Sequence, residues 1–222
     1  MIDTLIDFLF PKRCYGCGIY GIDLCNDCFK ELSIADQICP QCGEDSLMGW
    51  THPGCITRLG MDGLVAIYDH QDPKVKAIIN GVKFDFNKEL IKRVLNNFRF
   101  ETGVMFDYLV PVPLHFYRQN WRGFNQAEET ALVVGEEMKV AVSNVLRRGR
   151  KTGQQSKLSS KEEREKNVKG AFEVLDKDKK RLKGKRVMLI DDVFTSGADM
   201  RECTKALKIA GAKLVWGFAL AH

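Results

Sequence analysis

The stretch Val187–Arg201, VMLIDDVFTSGADMR, decides how the chain folds. Four apolar residues lead into adjacent carboxylates at Asp191 and Asp192, small residues follow, and apolar residues recur at helical spacing from Met200 onward. This order predicts a buried strand, a loop and a helix. Ligands of open α/β sheets bind beyond the carboxyl ends of the strands, where N–H groups at the start of a helix stabilise an anion. The stretch therefore predicts a sugar phosphate site, with the acid pair accepting hydroxyl groups or holding a hydrated Mg²⁺ ion.

Two other interpretations of this stretch fit less well. An apolar strand that ends in two acids is also typical of a Walker B segment, but the chain contains no G-x-x-x-x-G-K-[ST] sequence. Acids that only cap the next helix would not require the Thr-Ser-Gly sequence that follows at 195–197. A sugar phosphate site remains the better interpretation.

The same residues resemble the signature of the type I phosphoribosyltransferases, which has an apolar strand, two acids, two variable residues and a five-residue loop. The resemblance implies that Asp191 and Asp192 hold the ribose hydroxyls of phosphoribosyl pyrophosphate (PRPP). It also implies that a phosphate loop surrounds the 5-phosphate, formed here by Thr195, Ser196, Gly197, Ala198 and Asp199. The last position departs from the family pattern, because Asp199 stands where Thr is usual. A carboxylate there places a like charge near the phosphate, which is expected to weaken binding.

Cysteine spacing predicts a metal-binding module in the first quarter of the chain. Seven of the eight cysteines and one histidine form four pairs with two-residue spacing: Cys14, Cys17, Cys25, Cys28, Cys39, Cys42, His52 and Cys55. Such pairs in a cytosolic chain indicate zinc rather than disulfides, and eight ligands suffice for two tetrahedral sites. Because protein ligands fill all four positions of each site, the zinc is expected to be structural. Whether one or two Zn²⁺ ions bind, and how the pairs combine, stays open.

Charge is concentrated in one segment of the chain. The whole sequence of 222 residues has a net charge of +5, whereas the segment 147–169 alone, with nine basic and three acidic residues, has +6. Such a segment is expected to meet a polyanion such as pyrophosphate or single-stranded DNA. The basic residues assigned to this contact are Arg147, Arg148, Arg150, Lys151 and Arg164.

Composition predicts a soluble cytoplasmic protein with one good core and a small accessory module. Hydrophobic residues make up 45% of the chain, yet no apolar run approaches the roughly 18 residues of a membrane span. The first ten residues carry acids where a signal peptide has basic residues, and they predict a short amphipathic helix. From Met61 onward the pattern predicts strands at 64–68, 108–112 and 214–220, helices at 73–84 and 90–98, and a charged turn at 176–186.

The order of these blocks along the whole chain is similar to the ComF (ComFC, amidophosphoribosyltransferase-like) family of competence and DNA-uptake proteins. The shared blocks are the Cys-rich start, VPVPL at 110–114, RGFNQA at 122–127, the basic segment and IDDV at 190–193. The resemblance implies an α/β fold, a type I phosphoribosyltransferase-like open parallel sheet with flanking helices at 61–222. A small zinc-binding module at 1–60, the zinc module, precedes it.

Site roles follow from the same resemblance. The turn at Leu114 and His115 would bind pyrophosphate, with Arg118 and Arg122 reaching a phosphate and acting with the acid pair in catalysis. Residues 147–169 would form a mobile hood over PRPP, called here the hood segment.

Three functions remain open at the level of sequence. The first is a DNA-uptake protein that binds PRPP and single-stranded DNA. The second is an active transferase that uses PRPP with Mg²⁺ on an unidentified acceptor. The third is a non-catalytic protein that binds other proteins of the uptake machinery through the zinc module.

Overall fold

The computed structural model describes residues 11–85, 88–95, 103–114, 124–149 and 160–222. Its strands are β1 (Gly63–Tyr68), β2 (Tyr108–Pro111), β3 (Leu146–Arg148), β4 (Phe172–Val174), β5 (Arg186–Val193) and β6 (Leu214–Ala221). Its α-helices are α1 (Asn26–Lys30), α2 (Pro73–Asp85), α3 (Lys88–Leu95), α4 (Gln126–Met138), α5 (Lys161–Val168), α6 (Asp176–Leu182) and α7 (Ala198–Ile209). The helix predicted at residues 1–10 lies outside the described residues.

Four parallel strands form the main sheet of the described chain, in the spatial order β1-β6-β5-β2. The central strands β5 and β6 are buried over long continuous runs, because helices cover both faces of a parallel sheet. In the register of the sheet, Leu189 of β5 lies between Val110 of β2 and Gly217 of β6. The predicted open parallel sheet with flanking helices is confirmed.

The helices predicted at 73–84 and 90–98 correspond to α2 and α3, although residues 96–98 lie outside the described part of the chain. The prediction of a charged turn at 176–186 is wrong, because Asp176–Leu182 forms α6 and β5 begins at Arg186. Acids in the first turn of α6 and cations in its last turn complement the helix dipole, and Leu182 is fully buried. The longest helices of the described chain, α2 and α4, have 13 residues each. None of the described helices is long and apolar enough to cross a membrane.

The described part of the hood segment lies against helix α7. Its first residues belong to β3, which pairs antiparallel with β4, and its last residues belong to α5. Helix α5 begins with a capping box, in which the Ser160 hydroxyl accepts from the Glu163 N–H and the Glu163 carboxylate accepts from the Ser160 N–H. The hood segment therefore supplies one strand of a two-stranded ribbon and a helix, and residues 150–159 between them lie outside the described part.

The zinc module packs on the outer edge and one end of the sheet. Its segment 33–35 pairs with β1, where the Ala35 N–H donates to the Ile67 carbonyl at 2.9 Å. The Trp50 ring meets the edge of fully buried Trp216 on β6, with ring centroids 4.4 Å apart. The Thr51 N–H donates to the Asp62 carbonyl, just before β1 begins. The module is thus joined to the sheet through both backbone and aromatic contacts.

Candidate phosphate and metal sites

The two acids lie at the carboxyl end of β5, where the sequence predicts a ligand site. Asp191 and Asp192 are both partly exposed, although the four residues before them are fully buried. The Asp192 N–H donates to Oδ1 of Asp191 at 2.9 Å, which fixes the orientation of the Asp191 carboxylate. The acids therefore face a place that a ligand can reach, as binding of ribose hydroxyls requires.

The phosphate loop lies between the end of β5 and the start of α7. Its entrance is fixed because the Phe194 N–H donates to the Ala221 carbonyl of β6 at 2.9 Å. Gly197 adopts a left-handed conformation (φ 68°) and precedes the first residue of the helix, Ala198. Thr195 is exposed and Ser196 is partly exposed. The loop therefore presents backbone N–H groups at the start of a 12-residue helix, which is an arrangement that binds anions.

Arg201 supports the phosphate loop and was not identified from the sequence. Both of its terminal nitrogens, Nη1 and Nη2, donate to the Ser196 carbonyl, at 2.7 and 2.6 Å. Burial lowers the pKa of this guanidinium, while the nearby carboxylate of Glu165 opposes that shift. These two hydrogen bonds hold the Ser196 carbonyl on the side of Arg201. The N–H group of the same peptide unit therefore points to the opposite side, away from Arg201. Its position five residues after Ser196 is the only sign of this role in the sequence.

Asp199, the acid that departs from the family pattern, has a cationic partner. Nη2 of Arg148 on β3 lies 3.4 Å from Oδ1 of Asp199, and their side chains are 10% and 26% exposed. The Arg148 guanidinium also lies over the Phe172 ring, 4.8 Å from its centroid. The ion pair offsets the negative charge that Asp199 brings to the loop, so the expected repulsion of a phosphate is reduced.

Two further contacts join α7 to the hood segment and to the residue that follows it. The Gly170 N–H donates to Oε2 of Glu202 at 2.9 Å, just after the hood segment ends. Glu165 of α5 lies 4.0 Å from Nη2 of Arg201. Together with the pair between Arg148 and Asp199, these contacts place the ribbon and α5 beside the phosphate loop. Arg164 lies on the same helix α5 and is partly buried, and Arg147 pairs with Glu173 across the ribbon.

The predicted pyrophosphate turn is only partly within the described residues. Leu114 is partly buried beyond the end of β2, which pairs directly with β5. The Val112 N–H donates to the Ile190 carbonyl at 2.8 Å, next to the acid pair, and Asn125 Nδ2 donates to the Val112 carbonyl at 3.1 Å. His115, Arg118, Arg122, Arg150 and Lys151 lie outside the described residues. The structure thus brings the turn that begins at Leu114 to the side of the acids that faces β2.

The eight predicted zinc ligands form two clusters, each built from two consecutive pairs. Cys14, Cys17, Cys25 and Cys28 make the first cluster, and Cys39, Cys42, His52 and Cys55 make the second. Within each cluster the potential ligand atoms all lie within 4.8 Å of one another, as a tetrahedral Zn²⁺ site requires. Consecutive pairs therefore combine, and the pairs do not interleave.

Hydrogen bonds to sulfur prepare the first cluster for a cation. Burial opposes ionisation of Cys14, but the N–H groups of Cys25, Cys17 and Gly16 outweigh burial and lower the pKa of Cys14 to about 6. In contrast, burial and the neighbouring sulfurs raise the pKa of Cys28 to about 12. Ionisation of further thiols in the cluster is therefore unfavourable without a cation. Zn²⁺ would supply the positive charge that balances the thiolates.

The second cluster follows the same principle and includes a positioned histidine. Burial opposes ionisation of Cys39, but the N–H groups of Cys42, His52 and Gln41 lower its pKa to about 7. Nε2 of His52 lies 3.0 Å from the Asp45 carbonyl, and because a carbonyl oxygen can only accept a hydrogen bond, Nε2 is the nitrogen that donates. Nδ1, 3.4 Å from the Cys42 sulfur, is then the nitrogen that can bind a metal. Both clusters fit structural zinc.

Known proteins resemble both parts of this chain. The double zinc ribbon domain matches residues 5–56, and the phosphoribosyl transferase domain matches residues 89–221. Competence protein F of Haemophilus influenzae is 29% identical over 229 residues, covering 96% of this chain and 98% of that protein. DNA utilization protein YhgH of Escherichia coli K12 is 29% identical, covering 92% and 94%, respectively. Competence protein ComFC of Bacillus subtilis is 25% identical, covering 83% and 77%.

Proposed function

Because the chain belongs to the phosphoribosyl transferase family and, along nearly its whole length, to the ComF proteins of competence and DNA uptake, we propose that it binds PRPP at the carboxyl end of β5. The observation that carries this proposal is the position of two partly exposed acids directly before a loop that ends at a helix N-terminus. In the proposed complex, Asp191 and Asp192 accept the ribose hydroxyls. Residues Thr195, Ser196, Gly197, Ala198 and Asp199 surround the 5-phosphate.

The pyrophosphate group of PRPP is assigned to the other side of the acid pair. Leu114 begins the turn on that side, and His115, Arg118 and Arg122 follow it in the sequence. A bound Mg²⁺ ion would balance pyrophosphate charge, and the two arginines would stabilise the charge that develops on a departing pyrophosphate.

Calorimetry with PRPP and Mg²⁺ tests this site directly. Asp192→Asn is expected to weaken binding at least about tenfold, because a neutral amide is a weaker acceptor for a hydroxyl than a carboxylate. Asp176→Asn is the matched control, since Asp176 is a largely exposed acid on α6, 93% exposed. Equal affinities for wild type and Asp192→Asn would contradict the assignment.

We also propose that the protein binds single-stranded DNA through the hood segment. The support is the net charge of +6 over residues 147–169, together with the relatives' names, which refer to competence and DNA utilization. If four phosphates are contacted, raising the salt concentration fourfold lowers the affinity for a single strand about fiftyfold. Fluorescence anisotropy of a labelled oligonucleotide at two salt concentrations measures this. An absence of binding at both concentrations would contradict the proposal.

Two alternative functions differ from this proposal in what happens after PRPP binds. An active transferase releases pyrophosphate when the correct acceptor is present, and Asp192→Asn lowers that rate. A non-catalytic partner-binding protein instead uses exposed apolar side chains of the zinc module, such as Ile19, Leu47 and Ile56, which are 57%, 84% and 64% exposed. Pyrophosphate release supports the transferase, and an absence of PRPP binding supports the partner-binding protein.

A further inference from the structure

A second basic surface lies at the amino ends of β5 and β6, away from the phosphate loop. Two segments form it: 176–186 has seven basic and two acidic residues, and 205–213 has three basic residues and no acid. Their combined net charge is +8. They lead into β5 and β6, whereas the phosphate loop follows the carboxyl end of β5. The two segments together are called here the amino-end surface.

Backbone hydrogen bonds hold the two segments of the amino-end surface side by side. The Gly184 N–H donates to the Gly211 carbonyl at 2.8 Å, and the Lys213 N–H donates to the Lys185 carbonyl at 2.8 Å. Nζ of Lys208 also donates to the Lys213 carbonyl at 3.2 Å. The fold therefore joins two basic segments that are separate in the sequence into one continuous surface.

Six of the ten cations of the amino-end surface are already in ion pairs with acids. Three of these acids lie outside the two segments and reduce the net charge of the surface to +5: Asp62, Asp107 and Glu202. The four remaining cations are exposed and form no ion pair with a described residue: Lys177, Lys180, Lys183 and Lys213. An anionic partner can therefore reach four lysines that have no acid beside them.

Three of these lysines form a row. Lys177, Lys180 and Lys183 follow one another at three-residue spacing along α6 and its C-cap. Residues three apart lie on the same side of a helix, with Cβ atoms about 5–6 Å apart. Lys213 is held beside the end of this row by its hydrogen bond to Lys185. Alternate side chains of an extended peptide are roughly 6.5 Å apart, so its carboxylates can face consecutive lysines.

One exposed apolar side chain lies within the amino-end surface. Ile209, the last residue of α7, is 72% exposed. Lys205 precedes it by one helical turn on the same side of α7. A Cβ on Gly211, two residues after Ile209, would lie 3.4 Å from Cα of Lys183. Ile209 is therefore close to lysines of both segments, and this pattern matches an acidic ligand that carries one apolar side chain.

Two other anionic partners fit this surface less well. Surfaces that bind single-stranded nucleic acid use aromatic side chains for stacking, and neither segment contains an aromatic residue. Arg181 and Arg186, the residues best suited to phosphate, are both in ion pairs. Helices on membranes insert a whole apolar face, whereas Ile209 is the one large exposed hydrophobic residue of these two fully described segments. An acidic protein segment fits both the charge and the single apolar contact.

We propose that the amino-end surface docks an acidic segment of another protein, an extended run of Asp or Glu residues that includes one apolar side chain. Helix α7 has 12 residues, so about 18 Å separates Ile209 from the phosphate loop at the other end of the helix. A segment docked here does not touch the proposed PRPP site, and the docking does not depend on the proposed function. The protein can therefore hold a partner while the carboxyl end of β5 is occupied.

Fluorescence anisotropy with the zinc-loaded full chain tests the docking at physiological salt. The probe is a labelled synthetic peptide that contains aspartates and one leucine. Lys183→Glu combined with Lys213→Glu should weaken its binding at least about tenfold, because two attractions become repulsions. Lys30→Glu combined with Lys76→Glu is the matched control, since it changes the net charge equally at exposed lysines of α1 and α2. The control should weaken binding less than about threefold, because distant exposed charges are screened.

Two results of this experiment would overturn the proposal. One is equal weakening by the two double variants, which would mean that only the total charge matters. The other is an absence of peptide binding by the wild-type protein. Melting temperatures of both double variants verify that the proteins compared are folded.

A pair of isoleucines tests the apolar contact separately from the charges. Ile209→Ser should weaken binding of the leucine-containing peptide about fivefold, because a buried apolar contact is lost. Ile34→Ser is the control at a position that is 70% exposed outside the surface, and it should change binding less than about twofold. With serine in place of the leucine in the peptide, Ile209→Ser should have no further effect. Equal losses with both peptides would contradict the apolar contact and overturn the proposal.

Two competing ligands identify the other possible occupants of the surface. Oligothymidine and vesicles that contain anionic phospholipid are each measured with the wild type and with the combined Lys183→Glu and Lys213→Glu variant. If the variant binds either ligand at least about tenfold more weakly, the surface serves nucleic acid or membranes, and the proposal is overturned. Similar binding of both ligands by the two proteins, together with loss of the peptide, supports an acidic protein segment as the partner.

Discussion

At the scale of single residues, Asp199 is acceptable in the phosphate loop because another part of the chain supplies its counter-charge. The sequence alone indicates only that an acid stands where a hydroxyl is usual. Its partner Arg148 is 51 positions earlier in the numbering, on a different strand, and no local pattern connects the two. The pair also joins the hood segment to the loop.

The first prediction removes the cation from this pair. Arg148→Ala should weaken PRPP binding at least about tenfold, because the Asp199 carboxylate then repels the phosphate without compensation. Adding Asp199→Thr to this variant should restore most of the affinity. Arg181→Ala is the control, since Arg181 on α6 likewise pairs with an acid, Asp178, and lies over the ring of Tyr108 on β2. Calorimetry with PRPP distinguishes the variants, and an unchanged affinity in Arg148→Ala would disprove the compensation.

The second prediction concerns the left-handed glycine of the loop. A Cβ at Gly197 would lie 2.5 Å from Cε2 of Phe194 and 2.7 Å from Nη1 of Arg201, in addition to the backbone strain at φ 68°. Gly184→Ala is the matched control, since Gly184 has φ 74° and no atom within 4 Å of such a Cβ. The control should lower the free energy of unfolding by about 1 kcal/mol, and Gly197→Ala by at least about 2 kcal/mol. Urea unfolding measures both, and equal losses would show that the loop can adjust.

At the scale of elements, both zinc clusters should lose affinity for zinc as pH decreases. Zinc needs thiolates, and a lowered thiol pKa keeps the thiolate present down to a lower pH. The pKa of Cys14 is lowered to about 6 and that of Cys39 to about 7, but the pKa of Cys28 is raised to about 12 and that of Cys55 to about 11. Zinc must displace the protons of the raised thiols, so zinc affinity should fall at both clusters as pH decreases.

Variants that each keep one cluster allow the measurement. Cys17→Ser leaves the second cluster intact, and Cys42→Ser leaves the first. Zinc release followed with a colorimetric chelator should increase as pH decreases for both variants, because protons compete with Zn²⁺ for the thiolates. Zinc release that does not change with pH would contradict thiolate ligation in the remaining cluster.

The elements also show where sequence patterns are sufficient and where they fail. The strand that ends in Asp191 and Asp192 was predicted because its continuous apolar run and the loop after it are local features. Helix α6 was missed because its residues, DKDKKRL, contain only one apolar side chain, Leu182, and no periodic stripe. The charge order along α6 was the usable signal. Arg201 was missed because its contact with Ser196 depends on the shape of the loop, which periodicity does not describe.

At the scale of the whole molecule, the zinc module and the sheet depend on each other. Segment 33–35 of the module forms backbone hydrogen bonds with the edge strand β1, and Trp50 packs against Trp216, which lies in the core. The cysteine spacing predicts the metal clusters, but it contains no information about this docking. The contacts involve residues between the ligand pairs, whose partners lie far away in the sequence.

The fourth prediction follows from this dependence. Removal of zinc with a strong chelator should lower the melting temperature of the sheet as well as unfold the module, because structural zinc contributes on the order of 10 kcal/mol to folding. Near-ultraviolet circular dichroism should report this through loss of the signal from the Trp50 and Trp216 pair. Added Zn²⁺ should restore it. Unfolding of the module with an unchanged melting temperature for the sheet would contradict the coupling.

The order β1-β6-β5-β2 also has a consequence for synthesis on the ribosome. β6 is translated after the other three strands of this sheet, yet it lies between β1 and β5 and hydrogen-bonds to both. While β6 is still in the exit tunnel, β1 has no neighbour in the main sheet. The nascent chain then lacks the strand that connects β1 with the pair formed by β5 and β2. Translation that pauses before Leu214 would leave apolar strand edges accessible to chaperones or to other nascent chains.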